Sequence, residues 1–244
     1  MLKEEKKIDE GIFDTQTMIY LSKFFNKHII ERLRFITARG KEADLYLAES
    51  GDAEIVKNTK YVVIKFFRVE TSSFFKMTDY IIGDTRFNKM SQKTSKSKII
   101  IIKTWCKKEF GNLEIAERAG INAPKPYMAH GSILAMEFIG NGDGKPAPML
   151  KDVRLIEPKK VLDVIIYQIK KLYESRLVHA DLSQYNILIK DDKPYFIDFG
   201  QAVVLRHPNS ELFLNRDVKN ILEYFSKTYS IKMDQAAVLK LIKS

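Results

Sequence analysis

Hydrophobic positions along the chain change their spacing several times, and each change predicts a new element. From Asp14 to about His28, Met18, Leu21, Phe24, Phe25 and Ile29 recur at helical intervals, which predicts an amphipathic helix. Between 32 and 68 the pattern turns to alternating and β-branched stretches around 34–37, 44–48 and 61–67. These predict antiparallel strands with Gly51-Asp52 as a turn. Trp105, Leu113 and Ala116 restore a helical period that Gly120 ends, while 99–102 fits either a strand or the start of that helix. Residues 133–139 read as a buried strand. The run Gly140-Asn141-Gly142-Asp143-Gly144-Lys145-Pro146 then breaks all periodicity. Pro158 opens a helix to about Ser175, with Leu162, Ile165, Ile166, Ile169 and Leu172 as its core face. Asn215 and Asp234 read as N-caps of two final helices. The expected organisation is a helical extension over 1–30, a β-rich lobe over 31–139 and a helical lobe over 140–244.

Composition narrows the class. Lysine and arginine outnumber the acids 41 to 31, a net charge of +10, which raises the prior for a polyanionic partner such as RNA. The plain alternative is an ordinary basic surface. The single cysteine, Cys106, excludes an internal disulfide framework and a cysteine-based zinc site. No apolar run approaches the roughly 18–20 residues that span a bilayer, so no membrane partner is expected. The charged first residues lack the apolar core of a signal peptide, so the expected location is cytoplasmic. Residues 83–98 carry five basic side chains against one acid, with five hydroxyls, and predict a mobile, solvated loop. That loop is either a regulatory segment with phosphorylatable serines or a basic linker.

The chemistry concentrates in two stretches, 179–186 and 197–200. Asp181 and Asn186 have four residues between them, and Asp198 follows twelve positions after Asn186. This is the layout of a phosphotransferase site: the first acid orients an attacking hydroxyl, while the amide and second acid hold Mg²⁺ on ATP. Mg²⁺ favours hard oxygen ligands and keeps several waters, so one carboxylate, one amide and phosphate oxygens suit it. Upstream, Lys65 ends the apolar run Val62-Val63-Ile64 and is a candidate phosphate clamp; alone it would read as a snorkelling lysine. Glu109 is the candidate acid to hold it, with Glu114 and Glu117 as competitors. Ala38 to Leu45 reads as a degenerate glycine-rich loop in which Gly40 and Lys41 lie over phosphates. Met136, Glu137 and Ile139 form a candidate hinge, whose backbone groups at 137 and 139 bond an adenine edge. His179 reads as a structural histidine, because positioning and metal charge dominate phosphoryl transfer.

With these residues assembled, the chain resembles the RIO family of atypical serine protein kinases. The resemblance is carried by Gly40-Lys41-Glu42-Ala43, Lys65, Glu109 with Asn112-Leu113, 179–186, Ile197-Asp198-Phe199-Gly200-Gln201-Ala202 and Arg216-Asp217-Val218-Lys219-Asn220. It runs from about residue 10 to 230, and the family usually has Ser-Thr where this chain has Ala38-Arg39. With about 35 residues before the phosphate loop, it looks like the archaeal-like first-type branch, without an N-terminal winged helix. The implied fold is α+β and bilobal, protein-kinase-like, with a β-rich N-lobe and a reduced helical C-lobe. Only 44 residues follow Gly200, too few for an activation segment and a peptide-binding subdomain.

The resemblance further implies a kinase dependent on ATP and Mg²⁺ (or Mn²⁺) that phosphorylates protein serines, including its own. It implies action on the small ribosomal subunit precursor, and ATPase turnover through a phosphorylated Asp198. Two rivals stand beside it: a small-molecule kinase of the aminoglycoside type, and an ATPase-switch factor that binds precursor RNA.

Overall fold

The computed structural model describes residues 14–68, 74–87 and 97–244. Helix α1 (Thr15–Asn26) starts where expected, its first turn closed by the Asp14 carboxylate, which accepts from the Thr17 amide at 2.7 Å. Strands β1 (Ile30–Arg39), β2 (Ala43–Ser50) and β3 (Tyr61–Phe67) follow, then α2 (Phe74–Ile82), α3 (Lys98–Arg118), β4 (Pro126–His130) and β5 (Ile133–Glu137). The strands form one antiparallel sheet in the order β1-β2-β3-β5-β4.

All seven residues of β3 are buried, because the sheet is covered on both faces. Successive side chains on a strand point to opposite faces. Val62, Ile64 and Phe66 therefore pack in one cluster with Leu21 and Phe24 of α1. Val63 and Phe67 join the other cluster, with Ile101, Ile102 and Trp105 of α3. Lys65 alternates with Val63 and Phe67, so its side chain is on the α3 face.

The ambiguous stretch 99–102 is helical. Its β-branched isoleucines favour a strand locally, but Ile101 and Ile102 are buried against the sheet, and tertiary burial overrides propensity. The buried positions of α3 continue through Trp105, Glu109, Asn112, Leu113 and Ala116 at helical spacing, placing a carboxylate inside an apolar stripe.

Residues 83–87, expected as part of a solvated loop, are instead anchored to the fold. Asp84 is fully buried, and its carboxylate bonds the Arg86 guanidinium at 2.9 and 2.6 Å. Arg86 reaches on to Asn112 of α3 at 2.7 Å, and Thr85–Phe87 form a short 3₁₀ turn. A buried charge needs a partner, and this pairing fixes the segment. Residues 88–96, which hold most of the basic and hydroxyl positions, lie outside the described residues.

Beyond the glycine-rich break come α4 (Pro158–Glu174), β6 (Leu177–Val178), β7 (Ile187–Lys190), β8 (Lys193–Phe196), β9 (Val203–Val204), α5 (Ser210–Tyr229) and α6 (Gln235–Lys243). β6 pairs with β9, and β7 with β8 through Asp191-Asp192, both with positive φ, as a two-residue hairpin turn requires. These pairings leave 179–186 as the connection from β6 to β7, and 197–202 as that from β8 to β9. One apolar cluster runs from Val63 and Leu134 of the sheet through Leu162 and Ile169 of α4 to Phe225 of α5.

Asp234 caps α6, accepting from the Ala237 amide at 2.9 Å. Asn215 is not a cap. α5 begins five residues earlier, where Phe213 and Leu214 extend its buried face. Asn215 is accommodated inside the helix by donating back to the Glu211 carbonyl at 2.8 Å.

Candidate active site

A cleft of about 550 Å³ opens between the sheet and the 185–201 segment. It is lined by the β1–β2 turn, Lys65, the stretch from Met136 to Ile139, Asn186 and Asp198. The sequence candidates therefore meet at one place, although Glu109 and Asp181 support the wall rather than form its lining.

Lys65 is the centre of the arrangement. Its Nζ donates to both Glu109 oxygens at 2.8 Å and to Asp198 Oδ1 at 2.9 Å. Glu114 and Glu117, the alternatives in the same helix, are not its partners. Burial works against the ammonium charge, but Asp198 and Glu109 outweigh it and raise the lysine's pKa. Burial raises the Glu109 pKa, with Lys65 opposing. The Lys65 ammonium holds the Asp198 carboxyl below the usual carboxylate range. Glu109 is buried, whereas the Asp198 side chain is 46% exposed to the cleft. One carboxylate is structural in character and the other is accessible.

Asp198 adopts a left-handed backbone (φ 64°), a conformation that costs on the order of 1–3 kcal/mol for a non-glycine residue and concentrates at functional sites. Gly200, two residues on, is packed against α3. A Cβ there would lie 3.0 Å from Trp105 Nε1 and 3.2 Å from Glu109 Oε2, so the absence of a side chain permits the close approach. Asn112 donates to the Phe199 and Ala202 carbonyls at 2.7 and 2.9 Å, and the buried Lys108 Nζ to those of Gly200 and Ala202. Helix α3 thus holds the backbone that follows Asp198 from one side.

Asp181 and Asn186 stand together. Asn186 Nδ2 donates to the Asp181 carbonyl at 2.8 Å and to its Oδ2 at 3.2 Å, leaving the amide oxygen as the group suited to a hard cation. The Ile197 amide donates to the Asn186 carbonyl at 3.0 Å, which ties this segment to the residue preceding Asp198. His179 Nε2 donates to the Ile197 carbonyl at 3.0 Å; burial lowers its pKa to about 4, so it is neutral and structural.

Three contributors appear in the sequence reading only as parts of motifs, with no role assigned to them. Asp217 of α5 is buried and accepts from the Ala180 and Leu182 amides at 2.7 and 2.9 Å, gripping the backbone on both sides of Asp181. Ala180 has φ 65°, and Arg216 bonds its carbonyl. The motif containing Asp217 was visible in the sequence, but nothing local says which loop a helical acid will bond. Gln201 donates to Asp181 Oδ2 at 3.1 Å. Glu42 lines the cleft beside Gly40 and Lys41; burial first, then Asp198, push its pKa up to about 7. In the β1–β2 turn the Gly40 amide donates to the Ala43 carbonyl at 2.9 Å, and a Cβ on Gly40 would sit 3.0 Å from that oxygen. Along the hinge, the Glu137 amide donates to the Lys125 carbonyl and the Ala147 amide to the Ile139 carbonyl. Met136 is buried behind them.

Comparison with known proteins gives this geometry its context. The family model described as RIO domain matches residues 44–238, beginning just after the Gly40 turn. The chain is 40% identical over 226 residues to the RIO-type serine/threonine-protein kinase Rio1 of Methanocaldococcus jannaschii, covering 92% of this chain and 73% of that one. It is 39% identical over 188 residues to the Thermoplasma acidophilum protein of the same name, covering 77% and 96%. Among solved structures, the Rio2 kinase–ADP/Mg²⁺–phosphoaspartate complex from Chaetomium thermophilum superposes with TM-score 0.70 at 20% identity. That likeness covers 92% of this chain and 65% of that one, and shows a shared α+β kinase-like fold. The aminoglycoside-type alternative is set aside, and the chain belongs to the RIO family of serine/threonine-protein kinases.

Proposed function

We propose that the cleft binds ATP with Mg²⁺ or Mn²⁺ and passes the γ-phosphoryl group to serine hydroxyls, its own included. The observation that carries this reading is the Lys65 ammonium held between buried Glu109 and accessible Asp198, with the Asp181–Asn186 pair tied to the same wall by the Ile197–Asn186 hydrogen bond. In this reading Gly40 and Lys41 cover the phosphates and Lys65 clamps them. The Glu137 carbonyl and Ile139 amide take the adenine edge against Met136. The glycine-rich run from 140 divides the two lobes.

The donor set fits a divalent ion brought with the nucleotide. Asn186 and Asp198 supply two hard oxygens, and no cluster of three or more His, Cys, Asp or Glu side chains able to hold a metal occurs among the described residues. Two protein ligands plus phosphates and water are the usual way Mg²⁺ is held. Bound there, the ion neutralises charge on the phosphates. Asp181, fixed by Asn186 and Gln201, accepts the serine proton as the hydroxyl oxygen attacks phosphorus and ADP leaves.

The accessible, ionised Asp198 also supports ATPase turnover. Its carboxylate oxygen attacks the γ-phosphorus, ADP departs, and water then releases phosphate and restores the acid. The proposed setting is maturation of the small ribosomal subunit precursor in the cytoplasm. The net charge of +10 is compatible with an RNA-containing partner. No helix among the described residues is long and apolar enough to cross a membrane.

Purified protein incubated with γ-labelled ATP tests the assignment. Label is expected on the chain's own serines, and is expected to be lost in Asp181→Ala and Asp198→Ala while circular dichroism is unchanged. Retained labelling in either variant contradicts the roles of these two acids. A hydroxylamine-sensitive fraction of label, absent in Asp198→Ala, supports the acyl-phosphate cycle. Co-sedimentation with small-subunit precursors tests the setting.

A further inference from the structure

Away from the cleft, α1 and α3, which cover opposite faces of the sheet, come together beside the β4–β5 turn, and each carries a pair of lysines there. Lys23 and Lys27 lie four residues apart on and just after α1, and Lys103 and Lys107 four apart on α3. Like charges at this spacing repel, by about 0.2–0.5 kcal/mol per pair. None of the four forms an ion pair with a described residue. The contrast with the rest of the surface is sharp. Lys57, Lys159, Lys160, Lys219 and Lys227 all have an acid three or four residues away and within ion-pair distance.

The four lysines converge on a built feature. His130, at the β4–β5 turn, has its pKa lowered by burial and then by Lys23, Lys103, Lys27 and Lys107, in that order. Tyr20 stands edge-on to the His130 ring at 5.4 Å, and Lys103 Nζ lies 5.2 Å from the Tyr20 ring centre. Gly131 makes room for this: a Cβ there would come within 2.3 Å of the Tyr20 ring. The dipole at the end of α1 favours cations and accounts for Lys23 and Lys27. It does not account for Lys103 and Lys107, which lie in the body of α3. At about 100° per residue, Lys107 is roughly 200° round the helix from Glu109, so one helix serves the cleft and this surface with opposite faces.

We propose that this α1–α3 face is an RNA-binding surface, its lysines contacting backbone phosphates and the Tyr20–His130 pair meeting a base. Four unpaired cations around partly exposed aromatic edges suit a chain of phosphates with stackable bases better than an acidic peptide, which has no use for the rings. The proposal locates the RNA contact within the ribosomal-precursor setting and rests on that part of the proposed function alone, not on the cleft chemistry.

Fluorescence anisotropy with a labelled single-stranded RNA of mixed sequence, titrated across salt concentration, reads the number of phosphate contacts. A single strand contributes a slope of about 0.7 per contact in log affinity against log salt, so four contacts are worth about 3. Replacing Lys23, Lys27, Lys103 and Lys107 together by Gln is expected to lower the slope by that amount and the affinity at least tenfold. Replacing Lys159, Lys160, Lys219 and Lys227 by Gln removes the same charge and is expected to change little. Self-phosphorylation is expected to persist in both variants, which reports folding. If it is missing from the parent protein, the cleft assignment fails while the RNA result still stands. Photo-crosslinking of the unmodified chain to thiouridine-containing RNA gives a second measurement, with adducts expected on α1 and α3. Equal loss in both variants, crosslinks confined to other surfaces, no RNA binding by the parent, or a patch that governs polyglutamate binding but not RNA would each overturn the proposal.

Discussion

Glu109 holds the Lys65 ammonium with both carboxylate oxygens at 2.8 Å, across 44 positions of sequence. Replacing the acid by Gln leaves Lys65 a single charged partner, Asp198. The lysine is then drawn toward the accessible acid and away from the position proposed for clamping phosphate. Breaking a buried pair by removing one partner costs about 3–5 kcal/mol, and the surviving contact to Asp198 places the loss at the low end. Glu109→Gln is expected to fall in melting temperature and to bind ATP at least about tenfold more weakly, or 1.4 kcal/mol. Isothermal titration calorimetry and a thermal melt on the same sample check both.

Gly200 offers a gentler perturbation of the same pair. A methyl at this position meets Trp105 Nε1 at 3.0 Å and Glu109 Oε2 at 3.2 Å, so Glu109 has to give way by a few tenths of an ångström. Displacements of that size at a positioning residue cost rate more than stability. Gly200→Ala is expected to lose about 1–2 kcal/mol of stability, the usual cost of modest overpacking. Phosphoryl transfer is expected to fall by more than about tenfold. Urea unfolding and single-turnover labelling separate the two effects.

Asp217 touches no atom that would react, yet it binds the amides flanking Asp181. Its burial raises its pKa to about 7, against the two amide bonds and Arg216, which lower it. Asp217→Asn keeps the size but turns one acceptor into a donor facing an amide. Leaving a buried donor unsatisfied costs about 1–3 kcal/mol. On the role proposed for Asp181 in the transition state, kcat is expected to fall while KM for ATP stays near its original value. A raised KM at unchanged kcat would instead assign Asp217 to nucleotide binding.

The sequence was most informative where chemistry is local. Lys65, Asp181, Asn186 and Asp198 could be picked out because spacing and residue type suffice for them, and the structure brings Lys65, Asn186 and Asp198 to one cleft. Glu109 was favoured over Glu114 and Glu117 in the sequence, and Lys65 bonds Glu109; which face of the sheet Lys65 takes came only from the structure. Long-range polar partners were illegible. Asp217, Gln201 and Glu42 stand in segments that carry the resemblance, but their partners appear only when the fold brings them to the Asp181 loop and the cleft. The same limit explains Asp84 and Arg86, read as part of a solvated loop, whose partner Asn112 is 26 positions from Arg86. Asn215 misled for the opposite reason: a good capping residue was absorbed into a helix whose apolar face began earlier.

Lys108 supplies a prediction in pH. It is fully buried, donates to the Gly200 and Ala202 carbonyls, and burial drives its pKa down from 10.5 to about 7. Between those two values the unfolded chain carries a proton that the folded chain has shed. Stability rises with pH wherever the unfolded state binds more protons, so the penalty this lysine imposes on folding is largest at and below pH 7 and fades toward pH 10.5. Lys108→Met removes the slope while leaving two carbonyls unpaired. Its stability at pH 7 is therefore expected to differ little from that of the parent, and at pH 10 to fall clearly below it. Urea unfolding at pH 7, 8.5 and 10 measures the difference curve. A difference that stays constant across this range would mean that Lys108 keeps its proton in the folded protein, its charge carried by the backbone carbonyls that follow Asp198.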